Sequence, residues 1–141
     1  MVLGDFEGTI NPDYPLSGYP LFNAPQSVTA VISDAGYDVM DLAHNHILDS
    51  GLEGAFTTAD AFKEVGIDPV GVYENPVRDK APLFIKNVNG IKVAILSYAY
   101  GFNGLESNLT EKEIANHLSN LDEKRMKVEI ERAEKEADVT V

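Results

Sequence analysis

The stretch from Asn23 to Tyr73 switches repeatedly between helical spacing and short apolar runs, which restricts the chain to architectures where strands and helices alternate. Val28, Val31, Ile32 and Ala35 recur at i, i+3, i+4 and i+7, with Asn23 as the expected cap, Pro25 in the first turn and Gly36 as the stop. "YDVMDLA" then reads as a buried strand, and "HNHILDSG" as the loop leaving it. Ala55, Phe56, Ala59 and Phe62 form the stripe of a second helix ending at Gly66, and "DPVGVY" supplies another strand. Upstream, "VLGDFEGTI" is a short apolar strand running into an acidic turn. Downstream, "APLFIKNV" and "IKVAILSYAY" flank Asn89-Gly90, a pair suited to a type I′ hairpin. The expected class is α/β, a mixed β-sheet flanked by helices.

Beyond Tyr100, "GFNGLESN" is read as a loop, and Thr110 with Glu113 as a capping box. Ile114, Leu118 and Leu121 line one helical face, which makes His117 an expected surface histidine. A further helix begins near Asp122, with Met126, Ile130, Ala133 and Ala137 inward and the Glu123/Lys127 and Glu131/Lys135 pairs outward. The final "ADVTV" looks like the start of another buried strand. The expectation is a single domain over residues 1–141 that is incomplete at its C-terminus.

Composition removes several function classes. Without cysteine, neither disulfides nor thiolate metal sites are available. A formal charge of −12 repels phosphate backbones, so nucleic acid is excluded as an expected partner. No apolar run approaches the roughly 20 residues of a membrane span; any anchoring to a membrane would have to lie outside this sequence. At 44% hydrophobic over 141 residues, the chain can bury an ordinary core.

Chemistry concentrates in two loops. In open α/β sheets ligands bind beyond the carboxyl ends of the strands, and both "GDFEG" and "HNHILD" leave strands in that sense. The two loops offer Asp5, Glu7, His44, Asn45 and His46, a mix of oxygen and imidazole groups suited to Mn²⁺, Fe, Zn²⁺ or Mg²⁺. The same polar groups would equally serve to cap the following helix and satisfy backbone donors.

The residues "FNAPQSVTAVISDAGYDVMDLAHNHILDSGLEGAFTTADAFKEVGI", together with "GDFEGTI" and "NGIKVAILSYAYGFNG", resemble the bacterial capsule-synthesis family CapA, the poly-γ-glutamate capsule proteins. Their domain is similar to calcineurin-like metallophosphoesterases. The resemblance implies part of an αββα sandwich. It makes Glu7 and Asn45 metal ligands, with Asp5 standing where the family more often has asparagine. It makes His46 the group that contacts phosphate or protonates a leaving group, and Asp49 its orienting partner. His44 replaces a family asparagine and is either an extra ligand, an outer donor or a tolerated neighbour.

Three readings follow from the resemblance. One is a metal-dependent hydrolase acting on a phosphoester or on a bond of poly-γ-glutamate or another envelope polymer. Another is a non-catalytic surface factor that binds or guides a capsular polymer during export. The third is a domain that lacks a complete site. The implied location is the extracellular face of the cell envelope, and an unpaired sheet edge would open a route to a homo-oligomer.

Overall fold

A computed structural model describes all of residues 1–141. Six short strands form two three-stranded sheets. The first contains β1 (Leu3–Asp5), β2 (Val39–Asp41) and β3 (Asp68–Val70), all parallel, with Asp5 opposite Asp41 and Asp41 opposite Val70. The second contains β4 (Ile85–Val88) and β5 (Ile91–Ala94) as an antiparallel hairpin, with β6 (Val139–Thr140) parallel to β5. The α/β class and the mixed pairing are as the sequence implies, but the strands divide between two sheets. Asn89 and Gly90 both have positive φ, 53° and 91°, as a type I′ turn requires.

Four helices accompany the sheets: α1 (Ser27–Asp34), α2 (Gly51–Glu64), α3 (Glu111–His117) and α4 (Glu123–Glu136). The crossovers β1–α1–β2 and β2–α2–β3 set the carboxyl ends of β1 and β2 side by side. Helix α2 turns Ala55, Ala59 and Phe62 into the main core, where they meet Met40, Leu42, Ile47 and Leu48. The phenyl ring of Phe62 also meets Phe6 edge to face, with centroids 5.1 Å apart. This contact anchors the acidic turn after β1 directly on the core. Thr110 and Glu113 form the expected capping box at the start of α3.

Four expectations are corrected. Asn23 does not cap α1, whose first turn begins at Ser27. Instead it is buried, where its Oδ1 accepts from the Asn11 amide and its Nδ2 donates to the carbonyls of Asn11, Tyr14 and Pro15. That set satisfies backbone groups of an irregular loop, which a capping pattern does not register. Val31 faces solvent at 67% exposure, while Thr29 takes the buried place on α1. On α4, Ala133 is buried as expected, but Ile130 is exposed and Glu129 faces inward to pair with buried Arg78. Periodicity tracks apolar side chains and misses a helix face held by polar ones. Finally, His117 is partly buried. Its Nδ1 donates to the Tyr73 carbonyl at 2.7 Å, and its ring packs edge to face on Phe56.

Candidate functional site

The carboxyl ends of β1 and β2 release two loops that are cross-linked to each other. The hydroxyl of Ser50 donates to Thr9 Oγ1 at 2.8 Å, and Thr9 Oγ1 donates to the Phe22 carbonyl, also at 2.8 Å. Gly8, at φ +143°, lets the first loop lie against Phe22; a Cβ there would stand 3.1 Å from Phe22 Cβ. Phe22 in turn meets the His46 ring edge to face, with centroids 4.7 Å apart. The loops after β1 and β2 thus share one surface, as their common direction implies.

His46 and Asp49 form the most ordered part of that surface. A carboxylate only accepts, so the 2.8 Å contact places the proton of His46 on Nδ1, donating to Asp49 Oδ2. The Phe22 amide donates to the same oxygen at 2.6 Å, while Asp49 Oδ1 is buried without a donor. With Nδ1 occupied, the free lone pair of His46 is on Nε2. That atom lies 4.0 Å from Glu7 Oε1. Ile47 and Leu48, both buried in the main core, hold this segment from below.

His44 is arranged differently. Its Nδ1 accepts from the His46 amide at 3.2 Å, which puts the ring proton on Nε2, and Nε2 is buried without a partner. Burial and the neighbouring His46 lower its pKa to about 4, and the nearby Phe6 backbone offsets only part of this. His44 as a whole is buried, 8% exposed.

The edge itself is acidic. Asp5 and Asp41 are register partners, and Asp41 Oδ1 is engaged by the Ala43 amide at 2.8 Å and by the Ser97 hydroxyl. Burial first, then Asp41 and Glu7, raise the pKa of Asp5. Oxygen donors in this density suit a hard divalent cation. No three histidine, aspartate or glutamate side chains converge to hold a metal ion, however. By donor chemistry Asp5, Glu7 and the Asn45 amide oxygen are the residues that would hold such a cation, and they make at most part of a ligand set.

Two participants had gone unremarked in the sequence. Asp41 ends β2 as Asp5 ends β1, and that parallel register was its signal. Asn103 comes from the distant "GFNG" loop; its Oδ1 accepts from Asn45 Nδ2 at 3.1 Å, and its Nδ2 lies 3.4 Å and 3.5 Å from the two His46 ring nitrogens. The Asn103-Gly104 pair marks a turn in the sequence, but nothing local points it toward His46.

Comparison with known proteins bears on the same segments. The family model for the bacterial capsule synthesis protein PGA_cap matches residues 1–141. The capsule biosynthesis protein CapA of Bacillus anthracis is 38% identical over 80 residues, which is 57% of this chain and 19% of that relative. The matched stretch therefore spans about a fifth of the relative's length. With the family model covering every residue, the chain belongs to the bacterial capsule synthesis protein family PGA_cap.

Proposed function

We propose that this chain carries the proton-transfer side of a hydrolytic site in a capsule-synthesis protein, acting on a phosphoester or on a bond of an anionic envelope polymer such as poly-γ-glutamate. The observation that carries this reading is the pairing of His46 Nδ1 with the buried Asp49 carboxylate, which leaves Nε2 as the lone pair on the open side. A histidine fixed in that tautomer takes a proton at Nε2 from an attacking water or returns it to a leaving oxygen or nitrogen. Asp49 keeps the ring from rotating, and the Phe22 amide keeps Asp49 in place.

Electrostatics supports a cation as part of the assembly. A chain of charge −12 with Asp5, Asp41 and Glu7 at the site would repel a polyanion or a phosphoester. A divalent cation at Asp5, Glu7 and Asn45 would offset two of those three negative charges and polarise a substrate oxygen. The extracellular face of the envelope is the matching location for such a substrate. The second reading, a surface factor that binds polymer without cleaving it, draws on the same open, partial ligand set.

The test titrates Mn²⁺ and Zn²⁺ into the 141-residue chain by calorimetry. It also assays a phosphodiester and poly-γ-glutamate, with the full-length Bacillus anthracis relative alongside. The expected result is one weak equivalent and no robust turnover for the 141-residue chain, with turnover by the relative. Polymer binding without any turnover by either protein would overturn the hydrolytic reading in favour of the second. Two tight equivalents with full turnover in the 141-residue chain would show that the ligand set is complete.

A further inference from the structure

Asn103 has two features that its local role does not require. It sits at φ +56° in the turn closed by the Leu105 amide donating to the Phe102 carbonyl at 2.9 Å, with Gly104 following at φ +83°. Asparagine tolerates that left-handed conformation, so a turn alone would account for its presence. A turn residue has no need of a side-chain partner 58 residues away, yet Asn103 reaches Asn45 through Oδ1 and lies against both His46 nitrogens through Nδ2. Buried Phe102, 2% exposed, fixes the loop on the main core and so fixes where this amide points.

We infer that Asn103 is a positioning residue that orients the Asn45 amide and braces the His46 ring; this rests on the roles proposed above for Asn45 and His46. The argument is one of donor count. An amide offers an oxygen on one side and an NH₂ group on the other. With Asn45 Nδ2 committed to Asn103, its Oδ1 is left on the other side, free to coordinate a cation or to accept from a substrate N–H or O–H. Without Asn103 the Asn45 side chain could present NH₂ there instead, and a cation would be repelled. Nδ2 of Asn103, 3.4 Å and 3.5 Å from the two ring nitrogens, packs against the His46 ring and limits its motion. Three loops, after β1, β2 and β5, thereby meet at one point.

The experiment reads the side-chain amide resonances of Asn45 by ¹⁵N NMR in the 141-residue chain. Asn103→Gly keeps the left-handed backbone and removes the amide. The expected result is that the Asn45 NH₂ signals move to solvent-like positions, and that Mn²⁺ affinity falls by about 10-fold or more, the range seen for partners behind metal ligands. Asn103→Asp retains an oxygen acceptor and should restore the Asn45 signals. Asn45→Ala provides the reciprocal reading, since it should displace the Asn103 amide signals. Asn45 signals that stay unchanged in Asn103→Gly would overturn the inference and leave Asn103 a turn residue. A loss that Asn103→Asp fails to restore would also overturn it. If the wild-type chain binds no Mn²⁺, the metal part of the proposed function falls while the Asn45 signals still decide this inference.

Discussion

The two sheets solve the same packing problem by different means. The parallel β1–β2–β3 sheet rests on an apolar core of 13 buried residues, while the β4–β5–β6 sheet has a cluster of only three, Val39, Val70 and Ile95, two of them borrowed from the first sheet. Charge ties the second sheet to the first, Lys86 of β4 pairing with Asp68 of β3 at 2.8 Å, and holds the helix α4 beside it. Arg78, 5% exposed, forks onto Glu129 of α4 at 3.0 and 3.2 Å and donates to the Leu118 carbonyl, and the Tyr98 hydroxyl donates to Glu129. A parallel sheet is covered on both faces and can therefore hold polar loops rigidly at its carboxyl edge. The difference shows why the candidate site lies on the first sheet: its loops stand on packed apolar side chains.

The sharpest break in this comparison comes from truncating one side chain in each region. Phe62 is fully buried and touches Phe6, so Phe62→Ala should cost about 3–5 kcal/mol, the usual loss for a buried aromatic with its cavity. Val93 in β5 is half-buried, and Val93→Ala should cost about 1 kcal/mol from the smaller apolar area lost. Urea unfolding of both variants measures the two costs. Equal losses would mean that the second sheet contributes as much apolar stabilisation as the first.

A smaller effect separates the site loops from the rest of the surface through pH. Burial holds His44 at about 4 against 6.5 for an exposed histidine. The folded value is the lower one, so as pH falls the unfolded chain takes up its proton first. The stability that neutral His44 supplies is thus complete above pH 6.5 and is lost progressively down to about pH 4, by about 3 kcal/mol. Asp38, Glu113 and Asp122 have lowered values as well, but carboxylates lose their contribution below their own unfolded range near pH 4. Asp5, whose folded value is raised, acts in the opposite sense as pH falls, so a loss of stability between 6.5 and 4 is assigned to His44. Replacement by the asparagine common in the family, His44→Asn, should flatten the curve there. A wild-type curve already flat between those limits would place His44 in contact with water.

What the sequence disclosed, and what it withheld, follows the range of each interaction. The Thr110 and Glu113 capping box and the Asn89-Gly90 turn are contacts within a few residues and could be read from local chemistry, while the His46–Asp49 pair, equally local, was implied by the family resemblance. The shared edge of β1 and β2 was legible because crossovers in parallel sheets leave loops on the same side. Asn103 against Asn45 and Arg78 against Glu129 join polar side chains over 58 and 51 residues, and Asn23 reaches the Asn11 backbone over 12. Hydrophobic periodicity carries no signal for such pairs, because a polar side chain turned inward looks the same in sequence as one turned to solvent. The site was therefore visible as two loops, and its third loop was not.

A small effect on stability is expected at His46, and it sharpens the comparison most. A loop imidazole at the edge of a site adds little packing, and the sequence alone suggests that its removal leaves folding intact. The structure adds one cost: Asp49 is buried, its Oδ1 has no donor, and Oδ2 would keep only the Phe22 amide. His46→Ala should therefore lower stability by about 1 kcal/mol, the cost of one lost hydrogen bond to a buried acceptor. Whatever phosphodiester turnover the wild-type protein supports should fall by about 100-fold or more, because a proton-transfer group is gone from the transition state. Asp49→Asn separates the two effects. Its amide can keep an oxygen toward the Phe22 N–H, or toward His46, so folding should survive, while the His46 tautomer is no longer fixed and turnover should drop. The checks are thermal midpoints and initial rates on the same preparations. A large loss of stability with unchanged turnover in His46→Ala would place His46 with Phe62, among the residues that hold the fold.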